Sequence, residues 1–426
     1  MRSNRYARLA AVLSVPLLVG GVFVASAGAA SAGVGSHSRV LYVSPGARHG
    51  NSDRSCHSAK FKTIQSAVNA APAGGTVVVC RGTYREQVVL SKPLSLVGEH
   101  ATIDMHGVTP TFSVTLPGLG TQIIFAAVVM DSSKINFSGF RVQHAQGEGI
   151  IVAGLNGPVS HVVISRNTVV SNDLGGGVPP ASDYFLCQPQ GQVPGDCGEG
   201  VHFAGGVANS SILHNFIAHN SGGILLTDDI GPTHDNLVDG NVVTDNVADC
   251  GITVPGHNGM ALTAAGVRQP SVAGVYRNAI LNNVVTGNGT QGEGAGVLFA
   301  NAGPGTGSYD NFVAGNFIAG NGLAGVTMHA HTLMAGQHED LNGNVIVHNT
   351  IGTNNLGGDP LDGPPGPVKA HTGVLVFSGG TPVSVGIAFN HMFNNDIGIW
   401  LSKPVKASGL KTNTFRNVTT HVSANN

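Results

Sequence analysis

NFIAHN, residues 215–220, has relatives along the chain from residue 167 onward: NTVVSN from Asn167, NVVTDN from Asn241, NVVTGN from Asn283, NFIAGN from Asn316, NVIVHN from Asn344 and NHMFNN from Asn390. Each begins and ends with Asn, and the third residue is Val169, Ile217, Val243, Val285, Ile318, Ile346 or Met392. Residues two apart on an extended chain point to the same side, so Asn215 goes wherever Ile217 goes. If Ile217 enters a core, an amide enters with it. A buried amide without partners costs about 1–3 kcal/mol. Stacked copies of one turn remove that cost, because each Asn can donate to one neighbour and accept from the other. The second Asn is expected in the turn that follows, where Asn tolerates left-handed backbone.

A Gly strand alternates with these segments: GIIVAG from Gly149, GVHFAG from Gly200, GILLTD from Gly223, GITVPG from Gly251, GVLFAN from Gly296, GVTMHA from Gly325, GVLVFS from Gly373 and GIWLSK from Gly398. The first and third residues after Gly are apolar and face one side; the second and fourth face the other. Successive first Asn residues are 48, 26, 42, 33, 28 and 46 apart, which reads as a unit of about 25 residues carrying insertions. Each unit holds short strands and no helix, so it is one turn of a parallel β-helix, stacked at about 4.8 Å. Composition agrees: 62 glycines, one Trp and only 10% charged residues disfavour helical bundles.

Residues 1–32 read as a secretory signal. Arg2, Arg5 and Arg8 precede an apolar run from Leu9, and AGAASAG places cleavage after Ala32. An uncleaved anchor is the competing reading; later segments offer no span, so no stable membrane insertion is expected after cleavage. The remainder, 33–426, reads as one β-helix domain, with an N-terminal cap over about 40–100 and coils over about 100–424. In the cap, Ile64, Ala67, Val68 and Ala71 follow Thr63 at helical spacing, and Pro72 ends the helix. Such a helix covers the open edge of the first coil. In an exported chain Cys56 with Cys80 and Cys187 with Cys197 are expected disulfides, which leaves Cys250 over. A net charge of −2 without basic runs excludes an electrostatic footprint for nucleic acid.

A β-helix is filled, so chemistry must sit on its outer face. Aligned on Gly, Asp228 and Asp229 at the end of GILLTDD fall one coil from His257, and His329 and His331 lie two coils further. Glu199 and His202 lie one coil on the other side; Asp249 and His371 precede their strands at the rim. Carboxylates beside imidazoles serve as general acid and base, or hold a divalent cation. The expected roles are Asp228 or Asp229 as acid, His257 as base or orienting partner, and Glu199, His202, His329, His331, Asp249 and His371 as substrate contacts. Insertions at 174–198, 258–276 and 353–371 flank this face, which suits an elongated ligand.

The cap FKTIQSAVNAAPAGGTVVVCRGTYREQVVLSKPLSLVGE (61–99) with the coils behind it resembles the right-handed parallel β-helix proteins of the pectin-lyase-like superfamily. These include pectate lyases, pectin methylesterases, polygalacturonases, alginate epimerases and NosD-type periplasmic proteins. The resemblance covers about residues 40–424 and implies the right hand of the coil. LTDD followed by PGHN is similar to the paired aspartates and Gly-His of polygalacturonases, although here both follow their strands and no Arg-x-Lys comes after. The catalytic Asp segments of the methylesterases and the Asp-Pro-His of the epimerases are absent. Lyases of this fold use a Lys or Arg base, for which the central coils offer Arg268 and Arg277. The resemblance implies a secreted protein that binds and cleaves or modifies an extracellular polysaccharide. Its alternative is a non-catalytic envelope protein, in the NosD variant one associated with metal.

Overall fold

Asn215 is buried and its carboxamide is saturated. Its Nδ2 donates to Asn241 Oδ1 and to the Ile164 carbonyl, both at 3.0 Å, while its Oδ1 accepts from the Asn167 backbone N–H at 2.9 Å and from Asn167 Nδ2 at 3.0 Å. Asn has two donors and two acceptor positions, and all four are used. The column runs through Asn167, Asn215, Asn241, Asn283, Asn316, Asn349, Asn390 and Asn413. In this computed structural model, residues 40–48, 52–116, 120–172, 198–290, 294–330, 336–357 and 369–424 are described. The expected signal segment, Cys187, Cys197 and His331 lie outside the described residues.

Two expectations about the repeat are corrected. The column passes through Asn349 rather than Asn344, because Ile318 pairs with Ile351 whereas Ile346 pairs with Val313. Asn344 ends a separate column of Asn236, Asn278, Asn311 and Asn344, headed by Ser210. The second Asn of each copy is not the turn residue either. Asn172, Asn220, Asn246, Asn288, Asn321 and Asn354 form a third buried column. The left-handed residue is instead the one before the Asn, as at His214 with φ 54°, His219 with φ 58° and Asp245 with φ 55°. The chain turns there, and the next side chain enters the core.

The Gly strands stack as expected into a parallel sheet of 11 strands. The Asn-bounded strands form a 21-stranded sheet, and short strands from Val159–Ser160 to Ser308–Tyr309 form a third row. A hairpin of Ser113–Leu116 and Gly120–Ile123 is antiparallel. Gly is required at the head of each Gly strand because a Cβ on Gly200 would lie 2.4 Å from Ile217 Cγ2, and one on Gly223 the same distance from Val243 Cγ1. The branched residue of the Asn strand fills that corner, and the interior is a continuous apolar core.

The cap forms as the sequence implies. Helix Ile64–Ala70 buries Ile64, Ala67 and Val68, and the Thr63 side chain accepts the Ser66 N–H. The Glu86 carboxylate also accepts the N–H groups of Ile64 and Gln65, at 2.7 and 2.9 Å. Cys56 and Cys80 are joined by a disulfide. Among the described residues no helix is long and apolar enough to cross a membrane.

The ladder makes a graded prediction. Asn241→Ala removes the acceptor of two buried donors, Asn215 N–H and Nδ2, and is expected to lower stability by about 2–5 kcal/mol. Asn413→Ala, at the last coil where water can replace the amide, is expected to cost less than half as much. Urea midpoints of the two variants check the ranking.

Candidate functional site

The second and fourth residues after Gly do point away from the core, yet the expectation that they form an open face is corrected. His202 is 0% exposed and Thr327 and His329 are each 1%. The outer face of this sheet has apolar cover of its own. At one end Ile124, Val129 and Ile151 pack with Phe112 and Val114, and at the other Leu375, Phe377 and Trp400 cluster. A polar chain crosses the face between these ends.

The chain starts at Glu148, in the strand Glu148–Val152. Its Oε1 lies 3.2 Å from His202 Nδ1, on the strand Glu199–Phe203 one coil on. His202 Nε2 lies 3.0 Å from Thr227 Oγ1, and Thr227 donates to Asp229 Oδ2 at 2.5 Å. Asp229 Oδ1 then meets His257 Nδ1 at 2.9 Å. Register explains the meeting: Leu225 pairs with Thr253, so the ends of two successive Gly strands coincide. Only the last two members reach the surface, each with 17% of its side chain exposed.

Hydrogens can be counted along this chain. Burial would raise Asp229, but the charge and hydrogen bond of His257, the charge of His202 and the Thr227 hydroxyl together hold it below the usual carboxylate range. An ionised Asp229 takes the Thr227 hydrogen. Thr227 has one hydrogen to give, so His202 must donate Nε2–H to it. At the other end Asp229 accepts Nδ1–H from His257, which makes Nε2 the basic nitrogen of that ring.

Asp228 plays a different part. It is buried, its Oδ1 accepts the N–H groups of His257 and Asn258 at 2.7 and 3.0 Å, and its Oδ2 accepts that of Gly274 at 2.7 Å. Burial pushes its carboxyl up to about 6 against the pull of the Asn258 and His257 N–H groups. It ties both ends of the 258–274 loop to the strand and so sets the backbone of His257.

Of the other sequence candidates, Glu199 is buried in register with Glu148; one oxygen of each and a ring nitrogen of His202 lie within 4.8 Å of one another. Gly222 follows in that column, where a Cβ would lie 3.1 Å from Glu199 Oε1. His329 is buried two coils from the His257 position and stands edge-on to Phe377. Asp249 lies at the opposite end of its strand from His257 and is nearly buried, and His371 pairs with Asp396 at 3.2 Å. Neither joins the chain. Glu148 was missed, although Gly-Glu-Gly recurs at 147–149 and 198–200 and puts two glutamates at one position before the strand.

The two arginines of the central coils are committed elsewhere. Arg268 contacts Asp310 and Asp340 at 2.5 and 2.6 Å and lies over the Tyr309 ring, whereas Arg277 holds Asp235 at 2.6 Å. Beside them His234, Tyr276 and Tyr309 stack at 4.8 and 5.1 Å.

Two family models match the chain: one described as periplasmic copper-binding protein (NosD), over residues 190–362, and one described as protein of unknown function (DUF1565), over residues 48–268. No curated protein matches at a significant level. Among solved structures the chain is similar to an alginate lyase from Paenibacillus, with 15% identity, a TM-score of 0.50, and coverage of 84% of this chain and 96% of that one. It is also similar to a lacto-N-biosidase from Eubacterium ramulus, with 10% identity, a TM-score of 0.52, and coverage of 91% and 66%. At these identities the likeness is one of fold.

Isotope-labelled histidine spectra at neutral pH are expected to show a proton on His202 Nε2; a bare Nε2 would refute the hydrogen order above. A second expectation concerns acid. The Arg277 hydrogen bond, opposed by burial and aided by His234, lowers Asp235 to about 2, against about 3.9 for a free Asp. The stability from this pair is therefore complete above about pH 4 and lost as pH falls toward about 2. Urea midpoints across that window should fall less steeply in Arg277→Gln than in the parent.

Proposed function

The chain belongs to the DUF1565 family, and from that premise and the site we propose an exported, glycan-active protein whose His257–Asp229 pair carries out acid–base chemistry on an extracellular polysaccharide. The observation that carries this reading is the 2.9 Å contact of Asp229 Oδ1 with His257 Nδ1 at the exposed end of an otherwise buried polar chain. Asp229, kept ionised, orients the imidazole; His257 Nε2 takes a proton from an attacking water or hydroxyl. Thr227 and His202 hold Asp229 from behind, and Asp228 holds the His257 backbone. The glycan enters through the two fold neighbours, named as an alginate lyase and a lacto-N-biosidase. Export is favoured by the signal-like residues 1–32 and by the Cys56–Cys80 disulfide.

The NosD match favours a second reading, a non-catalytic envelope protein that retains a metal. Glu148, Glu199 and His202 would be its ligands; carboxylate and imidazole suit a divalent ion better than Cu(I), which prefers sulfur.

A polysaccharide panel scored for new reducing ends, unsaturated products or epimerised residues separates the two. Asp229→Asn and His257→Gln are expected to lower turnover by about 10²–10⁴-fold with the fold retained. If the parent leaves every glycan unchanged yet keeps copper or zinc through dialysis, the catalytic reading fails.

A further inference from the structure

The two ends of the stack are finished differently. At the first coil the helix Ile64–Ala70 packs on the core and buries Ile64, Ala67 and Val68. The last coil has no such cover among the described residues. Its strands Val405–Ser408, Thr414–Arg416 and Thr420–Ala424 each pair on one side only, with Val383–Ala388, His391–Phe393 and Ile397–Leu401 of the coil before. Their inward side chains continue the core columns and stop there. Val385, Met392 and Ile399 are buried, whereas their register partners Ala407, Phe415 and Val422 are only half-buried. Open strand edges beside an unfinished core are a template for one more strand.

Charge says what fits this edge. Asp396 is the last acidic residue of the sequence, and residues 397–424 carry Lys403, Lys406, Lys411 and Arg416, a formal charge of +4. All four are exposed, and among the described residues none has a carboxylate partner, in contrast to Arg268 and Arg277. Lys406 stands opposite Ser384 and Arg416 opposite Phe393, so the coil beneath supplies no counter-charge. Lysine on an edge strand keeps like edges apart. A second copy therefore fits badly either way round: its last coil brings the same charge, and its capped end exposes Lys60 and Lys62 just before the helix. What fits is an extended segment that is apolar at every second residue and acidic between. Its apolar side chains extend the half-filled core columns, and its carboxylates fall beside Lys406 and Arg416, one strand spacing of about 4.8 Å away. We propose that the last coil is a docking edge for an acidic, amphipathic segment of a partner protein, which adds to it as a strand. This does not depend on the acid–base reading of the His257 site.

Fluorescence anisotropy with the full-length protein compares three labelled peptides of equal length: alternating Val-Glu, alternating Val-Lys and alternating Ser-Glu. The Val-Glu peptide is expected to bind, and to weaken about tenfold or more at high salt. The Ser-Glu peptide, which has the charge without the apolar residues, is expected to bind at least about tenfold more weakly, and the Val-Lys peptide not at all. Lys406→Glu, at an exposed position, is expected to weaken Val-Glu binding by about tenfold at an unchanged melting temperature. In hydrogen exchange, amides of 405–408 and 414–416 should exchange faster in the free protein than their register partners one coil back, and slow when Val-Glu binds. Absence of Val-Glu binding overturns the proposal, as does equal binding of Ser-Glu or Val-Lys by the parent. Edge amides as slow in the free protein as those of the coil before show an edge already covered, and a dimer in sedimentation equilibrium shows a second copy as its occupant; either result also overturns it.

Discussion

From Ser210 to Asn354 each coil of this protein buries three polar side chains at its corners, and the stack holds because each finds its partners in the coils above and below. Asn is the residue that fits: its amide hydrogens reach the next Oδ1 and a carbonyl, and its own oxygen accepts two bonds in return. Ser210 can head a column, where its hydroxyl accepts Val162 N–H and donates to the Ala208 carbonyl, but it lacks the second donor that a link in mid-column needs. With the corners pinned, variation in length is expelled into the loops. Successive members of the main column are 48, 26, 42, 33, 33, 41 and 23 residues apart, yet their amides stay within hydrogen-bond reach. Rigid corners with free loops are the arrangement in which function can be placed on a scaffold without disturbing it.

How much of this was legible depends on how unique each signal is. One Gly heads each Gly strand and the core admits no side chain there, so alignment on Gly alone brings Asp229 beside His257. The Asn signal is degenerate. Asn344, Asn349 and Asn354 are five apart, Asn-x4-Asn therefore fits two frames, and only strand pairing tells them apart. The left-handed turn residues are hidden for a related reason: residues as varied as Ser171, His219 and Phe389 occupy that position beside an Asn that is the better candidate by type alone. Burial of the outer face was illegible, because alternation reports which way a side chain points and not what later covers it.

The polar chain at the site obeys the same rule as the Asn columns. Hydrogens converge on Asp229, from His202 through Thr227 on one side and from His257 on the other, and the burial is tolerated because each contact pairs a donor with an acceptor. Glu148 shares its Gly-Glu-Gly setting with Glu199 but stands 54 residues from His202; its meaning comes from that imidazole one coil away, which sequence distance hides.

The two kinds of column differ in what they can do. An amide ladder cannot change its proton number, so it can only hold. A chain of carboxylate, imidazole and hydroxyl can, and in this protein it begins in the interior and ends at two partly exposed groups. Over residues 167–267, which hold no lysine or arginine, histidine is the side chain able to offset buried carboxylates, so the same imidazoles that stabilise the stack also carry its exchangeable protons. A lysine would have offset the charge as well, but its ammonium remains protonated through neutral pH and offers no base. The composition that keeps permanent cations out of residues 167–267 is thus what leaves the offsetting role to imidazole, His257 included.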